Sequence, residues 1–296
     1  MISVCIPVYN NDIRFLAGQL LQQAESLGQP VEVVVMDDGS EESYKLINRE
    51  ISTLPGVRYS ELPVNTGRAK IRNMLAGKAI YPYLLFLDAD SMLTGDHFLK
   101  IYMEHIREEK VICGGTVYSD ERPENAESLL RWTYGRHHEQ IPPEKRNRKS
   151  FAITSNNFII HRKTFLQHPF REAILRYGHE DTVLGYDLWA AGIEIVHIAN
   201  PVLHTGLEDS EVYLDKTQTA LANLLHITRN IVTDRVFVQH SGLLRIRHHL
   251  GKLGLRKIAG VIFIRFEKLL RKHLTGSSPR LFVFNLYRIG YICSLE

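Results

Sequence analysis

The sequence predicts an α/β fold, a mostly parallel sheet with helices on both faces, followed by a helical and basic C-terminal region. Three observations carry this. Short apolar runs of strand length alternate with helical periodicities over roughly the first two hundred residues, the pattern of strands buried on both faces. Three of those runs end in polar clusters, Tyr9-Asn10, Asp37-Asp38-Gly39-Ser40 and Asp88-Ala89-Asp90. Beyond about Glu211 the strand pattern stops and lysine and arginine accumulate.

The elements follow in order. Ile2–Val8 is an apolar strand, stopped around Pro7, Tyr9 and Asn10. Phe15, Leu16, Leu20, Ala24 and Leu27 recur at helical spacing, with Gly28 placed to end that helix. Val31–Met36 is a second strand. A polar helix over Ser43–Ile51 and a short strand over Val57–Leu62 come next. Arg68–Ala79 reads as a helix behind Gly67, Tyr83–Leu87 as a strand, Asp96–Arg107 as a helix and Val111–Tyr118 as a strand. Residues 119–150 are polar, basic and proline-containing, which predicts a long loop or mobile insertion. Ser155–His161 resumes a strand, Glu180–Ala191 forms an amphipathic helix closed by Gly192, and Ile193–Ile198 and Val202–His204 are strands.

A chain of 296 residues holds one large α/β domain plus an appendage, or two modest domains. The change of pattern predicts a catalytic domain over 1–210 and a basic helical region over 211–296. Cys5, Cys113 and Cys293 have neither metal-ligand nor disulfide spacing, which points to a reducing compartment. The start Ile2-Ser3-Val4-Cys5-Ile6 lacks the basic opening of a signal peptide, and no uncharged apolar run is long enough to cross a bilayer. A cytoplasmic location is therefore expected. The net charge of +3 conceals a division: residues 243–296 carry eleven Lys/Arg against two acids, so residues 1–242 are net −6. Opposite charge on two regions predicts two different jobs.

Strand ends in a parallel sheet share one edge, the edge where ligands bind in open α/β folds. Acids released there are costly to desolvate without a partner. Asp88 and Asp90 offer two hard oxygen ligands to a divalent cation carrying phosphates, although an Asp-rich turn reads equally well from that segment alone. Tyr9 is placed to cover a base, and Asp38 to accept hydrogen bonds from base or ribose. Arg68 and Arg72 lie four apart at a helix start and suit an anionic ligand; solvated charges on a surface helix are the plainer alternative.

Four segments in this order resemble the motifs of the family 2 glycosyltransferases: Val4-Cys5-Ile6-Pro7-Val8-Tyr9-Asn10, Val35-Met36-Asp37-Asp38-Gly39-Ser40, Asn65-Thr66-Gly67 through Arg72-Asn73, and Phe86-Leu87-Asp88-Ala89-Asp90. The resemblance covers about residues 1–206. It implies a Rossmann-like GT-A fold, a nucleotide-sugar donor, most often a UDP-sugar, a Mn2+ or Mg2+ cofactor, and transfer with inversion. By the same resemblance Pro7, Tyr9, Asn10, Asp38, Gly67, Arg68, Arg72, Asp88, Ala89 and Asp90 bind the nucleotide-sugar. Asn156, Asn157 and Glu180 line the sugar pocket. Asp181 of the Gly178-His179-Glu180-Asp181 segment is the general base, expected to stay ionised at its helix start. Asp90 and His204 hold the metal. Processive members carry Gln-x-x-Arg-Trp after the Glu-Asp motif; here Arg131-Trp132 precedes it, which favours transfer of a single hexosyl or N-acetylhexosaminyl unit. The expected acceptor is a hydroxyl on a glycan or lipid-linked molecule, in cell-surface polysaccharide synthesis.

Two other functions compete. Asp88-x-Asp90 after a strand also opens haloacid-dehalogenase-like phosphohydrolase sites, although there the motif sits on the first strand and a small hydroxyl residue stands where this chain has Met92. A non-catalytic nucleotide-sugar-binding membrane scaffold is the third reading.

In the C-terminal region Ile246, Leu250, Leu253, Ile258, Val261, Ile262, Phe266, Leu269, Leu270 and Leu274 approximate one helical stripe among basic residues, which Gly251, Gly254 and Gly260 divide into two helices. This predicts contact with an anionic membrane surface through 243–274, and so a peripheral position on the inner face of the cell membrane. The alternative is a helical subdomain packing its stripe on the core. Nothing in residues 1–242 supports a nucleic-acid partner.

Overall fold

The structure, a computed structural model, describes residues 1–295. Its elements run β1 (Ile2–Val8), α1 (Arg14–Leu27), β2 (Val31–Asp37), α2 (Glu42–Asn48), β3 (Val57–Glu61), α3 (Arg68–Lys78), β4 (Tyr83–Leu87), β5 (Ser91–Leu93) and α4 (Phe98–His105). Then follow β6 (Lys110–Cys113), β7 (Thr116–Val117), α5 (Leu129–Tyr134), α6 (Pro143–Arg146), β8 (Asn157–His161), α7 (Arg162–Gln167), α8 (Glu180–Ala190), β9 (Glu194–His197) and β10 (Val202–His204). The helices α9 (Ser210–Asn230), α10 (Arg235–His240), α11 (Gly242–Lys252), α12 (Arg256–Leu274) and α13 (Leu281–Ser294) complete the chain.

These form two compact units. The first comprises Met1–Tyr118, Glu139–Leu175 and Glu180–Gly206; the second comprises Ser119–His138, Arg176–His179 and the chain from Leu207 onward. The first unit holds a seven-stranded sheet of order β3-β2-β1-β4-β8-β6-β9 and a three-stranded sheet of order β5-β10-β7. β1 pairs parallel with both β2 and β4, while β8 runs antiparallel between β4 and β6.

Alternation along the strands builds the core. Side chains of successive residues point to opposite faces, so Ile2, Val4, Ile6, Val8, Val33, Val35, Leu85 and Leu87 pack on one face with Leu16, Leu20 and Phe98. Cys5, Val34, Met36, Leu84 and Phe86 pack on the other with Ile71, Leu75 and Phe158. Strands buried on both faces read as continuous apolar runs, which is why β1, β2 and β4 are legible in the sequence.

Two expectations are corrected here. The strand expected over Val111–Tyr118 is two strands, β6 and β7, split at Gly114-Gly115. Residues 119–150, expected as a loop, contain α5, a helical turn over Gly135–Glu139, and α6. Arg146 anchors the latter part, donating from its guanidinium to the carbonyls of Ile141, Gly114 and Ile198.

The second unit is helical among its described residues. Leu130 of α5 packs with Leu214, Phe263, Leu274, Phe284 and Tyr287. The helix break expected in the basic segment falls at Gly254, whose φ is +71, between α11 and α12; Gly260 lies inside α12.

Candidate active site

The strand order reverses at β1. β2 and β3 extend to one side and β4 to the other, so the crevice outside the carboxyl ends of β1 and β4 is the topological switch point, where α/β folds bind ligands. Val8 and Asp37 are register partners, and the chain leaves β4 at the same edge through Asp88-Ala89-Asp90. β8 enters antiparallel with Asn157 opposite Leu87, which brings Asn156 to that edge as well. The Asp88 amide donates to the Asn156 carbonyl at 3.3 Å.

At the first two strand ends the polar residues build the loops. Asn10, at φ +49, accepts on Oδ1 from the Glu41 amide at 2.9 Å, and Ser40 Oγ accepts from the Asn10 amide at 2.8 Å. Tyr9 is left 55% exposed beside this turn, free to cover a planar ligand. Asp38 Oδ1 accepts from the Thr66 amide at 2.7 Å and the Thr66 hydroxyl at 2.8 Å, and Oδ2 from the Gly67 amide at 3.1 Å. Asp38 is buried, and it holds the loop that opens α3. Thr66 was not anticipated from the sequence, because its partner lies 28 residues away.

Arg72 was expected to face an anion from the helix surface. Instead its side chain is 2% exposed and donates to Asp88 Oδ1 at 2.5 Å and to the Arg68 carbonyl at 3.0 Å. It is a positioning residue that fixes the first acid of the Asp-Ala-Asp turn. Arg68, on the more open side, has Nη1 at 3.8 Å from Glu180 Oε1. This charge chain ties α3 to the end of β4 and to the start of α8. Asn157 departs from expectation in the same way. It is fully buried, accepting from the Tyr102 hydroxyl at 2.6 Å and donating to the Gly115 and Asn200 carbonyls, so it braces the edge from beneath and does not face a sugar.

His204 reaches Asp90 through the small sheet. β10 pairs antiparallel with β5, placing His204 opposite Ser91, and Thr205 donates from its amide and its hydroxyl to the Asp90 carbonyl. His204 Nδ1 lies 3.4 Å from Asp90 Oδ2, close to the separation of about 3 Å between adjacent ligands of an octahedral cation with bonds near 2.1 Å. The Tyr118 ring packs edge-on against the imidazole at 5.4 Å. Among the described residues no three His, Cys, Asp or Glu side chains converge on one ion position. Asp90 and His204 would offer such an ion two donors, a carboxylate and an imidazole, with phosphate oxygens and water completing the shell as is usual for Mg2+ and Mn2+ on nucleotide substrates. The residues fit such an ion.

Gly206 shapes this pair. A Cβ there would stand 2.5 Å from Asp90 Oδ2, so only glycine lets the chain pass behind the carboxylate. Gly206→Ala is expected to displace Asp90 and raise the Mn2+ concentration needed for half-maximal activity by about tenfold or more, with little change in melting temperature. A metal titration of activity checks this.

Two left-handed residues, Gly178 at φ +97 and His179 at φ +70, turn the chain into α8. Asp181, in its first turn, accepts on Oδ1 from the Thr182 amide at 2.6 Å. Burial and the charge of adjacent Glu180 push its carboxyl up to about 7, against the opposing pull of Thr182 and Arg72. The helix start favours the ionised form, and burial together with the Glu180 charge works against it. Buried polar atoms without a hydrogen-bond partner also gather along this edge, among them Asp37 Oδ2, Arg72 Nε, Ser91 Oγ, Asn156 Oδ1 and Glu180 Oε2. Such atoms are rare in folded proteins, and these five offer unused hydrogen-bonding capacity to a polar ligand.

The fold and this edge define a GT-A-type α/β protein. A mannosyltransferase from Pyrobaculum calidifontis, solved with GDP-Man and Mn2+, superposes with a TM-score of 0.58 over 99% of this chain and 84% of its own, at 13% identity. Residues 1–349 of Staphylococcus aureus TarS with UDP-GlcNAc give 0.53 over 98% and 89%, at 16% identity. The profile of glycosyl transferase family 2 matches residues 3–172, more than half of the chain, and the protein belongs to that family. This displaces the phosphohydrolase alternative. An uncharacterized glycosyltransferase of Haemophilus influenzae is 34% identical over 101 residues, which are 34% of this chain and 40% of the relative. A teichoic acid poly(glycerol phosphate) polymerase of Staphylococcus epidermidis is 30% identical over 101 residues, 33% of this chain and 14% of its own length. The chain thus spans less than half the length of either relative.

Proposed function

We propose that this protein is an inverting, non-processive glycosyltransferase that moves one sugar from a UDP-sugar to a hydroxyl of a glycan or lipid-linked acceptor, with a divalent cation held by Asp90 and His204. The observation that carries this is the 3.4 Å Asp90–His204 pair just past the end of β4, together with Arg72, which is bonded to Asp88 at that same strand end and acts on the Asp181 carboxyl. The solved neighbours bound to UDP-GlcNAc, or to GDP-Man with Mn2+, support a nucleotide-sugar donor and a metal. The teichoic acid relative supports a cell-surface polymer as the destination.

Asp181 takes the proton of the acceptor hydroxyl as its oxygen bonds to the anomeric carbon from the face opposite the nucleotide. The bond to the diphosphate breaks on the other face, and the configuration inverts. Asp90 and His204 would hold a divalent cation, which would supply charge neutralisation for the departing diphosphate. Asp88, held by Arg72, and Asp38, held by Thr66 and Gly67, border the nucleoside end, with Tyr9 over the base.

Thermal stabilisation across a panel of nucleotides and nucleotide-sugars, with and without Mn2+, tests the reading. A UDP-sugar with Mn2+ is expected to raise the melting temperature most, since ligand at about 100 times Kd stabilises by about 2.7 kcal/mol. The product's anomeric coupling constant in proton NMR then reports inversion. Absence of stabilisation by every nucleotide-sugar, or retained configuration, overturns the proposal.

A further inference from the structure

The helix α12 has two apolar faces, and only one is used within its unit. Phe263 and Leu274 are buried among Leu130, Leu214, Phe284 and Tyr287, with Leu270 packed against them. On the opposite side Ile258, Ile262, Arg265, Leu269 and Lys272 recur at steps of four, three, four and three residues, the spacing of one helical face. Ile258 is 54% exposed, Val261 67%, Ile262 54% and Leu269 63%. The single stripe expected from the sequence is thus divided: Leu270 and Leu274 turn inward, Ile258, Val261, Ile262 and Leu269 outward.

Charge identifies what covers the outward face. Lys257, Arg265, Lys268 and Lys272 lie on or beside it, all exposed. The one acid of α12, Glu267, turns inward and accepts from Gln218 Nε2 at 2.7 Å. Arg271 is neutralised separately by Glu211 and Asp215, so it adds nothing outward. A second copy of this face would bring cations against cations. A nucleic acid would reward the cations and leave the isoleucines in water. Anionic lipid satisfies both, with headgroups for the lysines and acyl chains for the aliphatic residues. Among the described residues no helix is long and apolar enough to cross a membrane, so the geometry is that of a helix lying in the interfacial plane.

We infer that the outward face of α12 docks the protein on an anionic bilayer, with Ile258, Val261, Ile262 and Leu269 inserted and the flanking lysines on the headgroups. The inference stands independently of the glycosyltransferase reading, because its readout is binding and not activity. Co-sedimentation of the full chain with vesicles of phosphatidylcholine and phosphatidylglycerol in equal parts is compared with phosphatidylcholine alone. Binding is expected only to the anionic vesicles, weakening as salt rises.

The exposed triple variant Ile258→Ser/Ile262→Ser/Leu269→Ser is expected to lose about tenfold or more in vesicle affinity, as is Arg265→Gln/Lys268→Gln/Lys272→Gln. Circular dichroism establishes that both variants remain helical. Equal binding by the serine variant, or no binding of the parent protein to anionic vesicles at low salt, overturns the inference. So does light scattering that shows the serine changes dissociating a dimer, since the face then covers a second copy.

Discussion

Replacing Asp181 with Asn is expected to lower kcat by about 10²- to 10⁴-fold, the range of general-base catalysis, while UDP-sugar stabilisation of the protein stays within about a factor of two of the parent's. The side chains are nearly isosteric, and the amide oxygen still accepts from the Thr182 amide, now at 2.6 Å from Asp181 Oδ1. Only the capacity to take a proton is removed. A donor-binding role would instead weaken stabilisation and turnover together. Retained turnover moves the base elsewhere.

The environment of Asp181 adds a pH signature. With the carboxyl pushed up to about 7 by burial and the Glu180 charge, log kcat/KM is expected to rise with unit slope to about pH 7 and then level. Glu180→Gln removes the repelling charge, so the break is expected to move to lower pH. Stability runs the other way. A carboxyl whose folded pKa is raised favours the folded state while it is protonated, below its ordinary value of 3.8, and that contribution is lost as pH climbs through about 7. Asp181→Asn is therefore expected to be relatively more stable than the parent at pH 8 than at pH 5, measured by melting without donor. A melting-temperature difference between Asp181→Asn and the parent that does not grow from pH 5 to pH 8 contradicts the assignment.

Much of this site is written locally. The ends of β1 and β4 read from the sequence because apolar runs stop at Asn10 and Asp88, and strands buried on both faces announce themselves. What local pattern does not hold is pairing at a distance. Arg72 reads as a surface cation because α3 looks amphipathic in isolation; it is buried because Asp88 comes alongside from β4. Asn157 reads as a pocket residue until Tyr102, Gly115 and Asn200 claim its amide. His204 meets Asp90 only through the antiparallel pairing of β10 with β5. Gly206 gave one usable signal, a glycine directly after His204-Thr205, but its reason is a carboxylate 116 residues earlier in the chain. In α12 the periodicity found the apolar residues, and two overlapping apolar faces in one helix defeat any single-stripe reading.

Arg72→Leu carries the largest expected effect on stability. The guanidinium is almost fully buried, and Asp88 Oδ1 accepts from it at 2.5 Å. Removing one partner of a buried pair strands the other charge at a cost of about 3–5 kcal/mol. Asp88 is about a quarter exposed and recovers some hydration, so a loss of about 2–4 kcal/mol in the first unit is expected, seen as a fall of about 5–12 °C in its melting temperature. Asp88→Asn in the same chain should return part of that loss, because the stranded charge is gone; a double-mutant cycle gives the coupling. Arg72 also pulls the Asp181 carboxyl downward, so the pH–rate break of Arg72→Leu is expected above that of the parent. A purely structural arginine would lower the melting temperature and leave the break where it was. A shift in both places Arg72 between the two acids, holding Asp88 by contact and tuning Asp181 by its field.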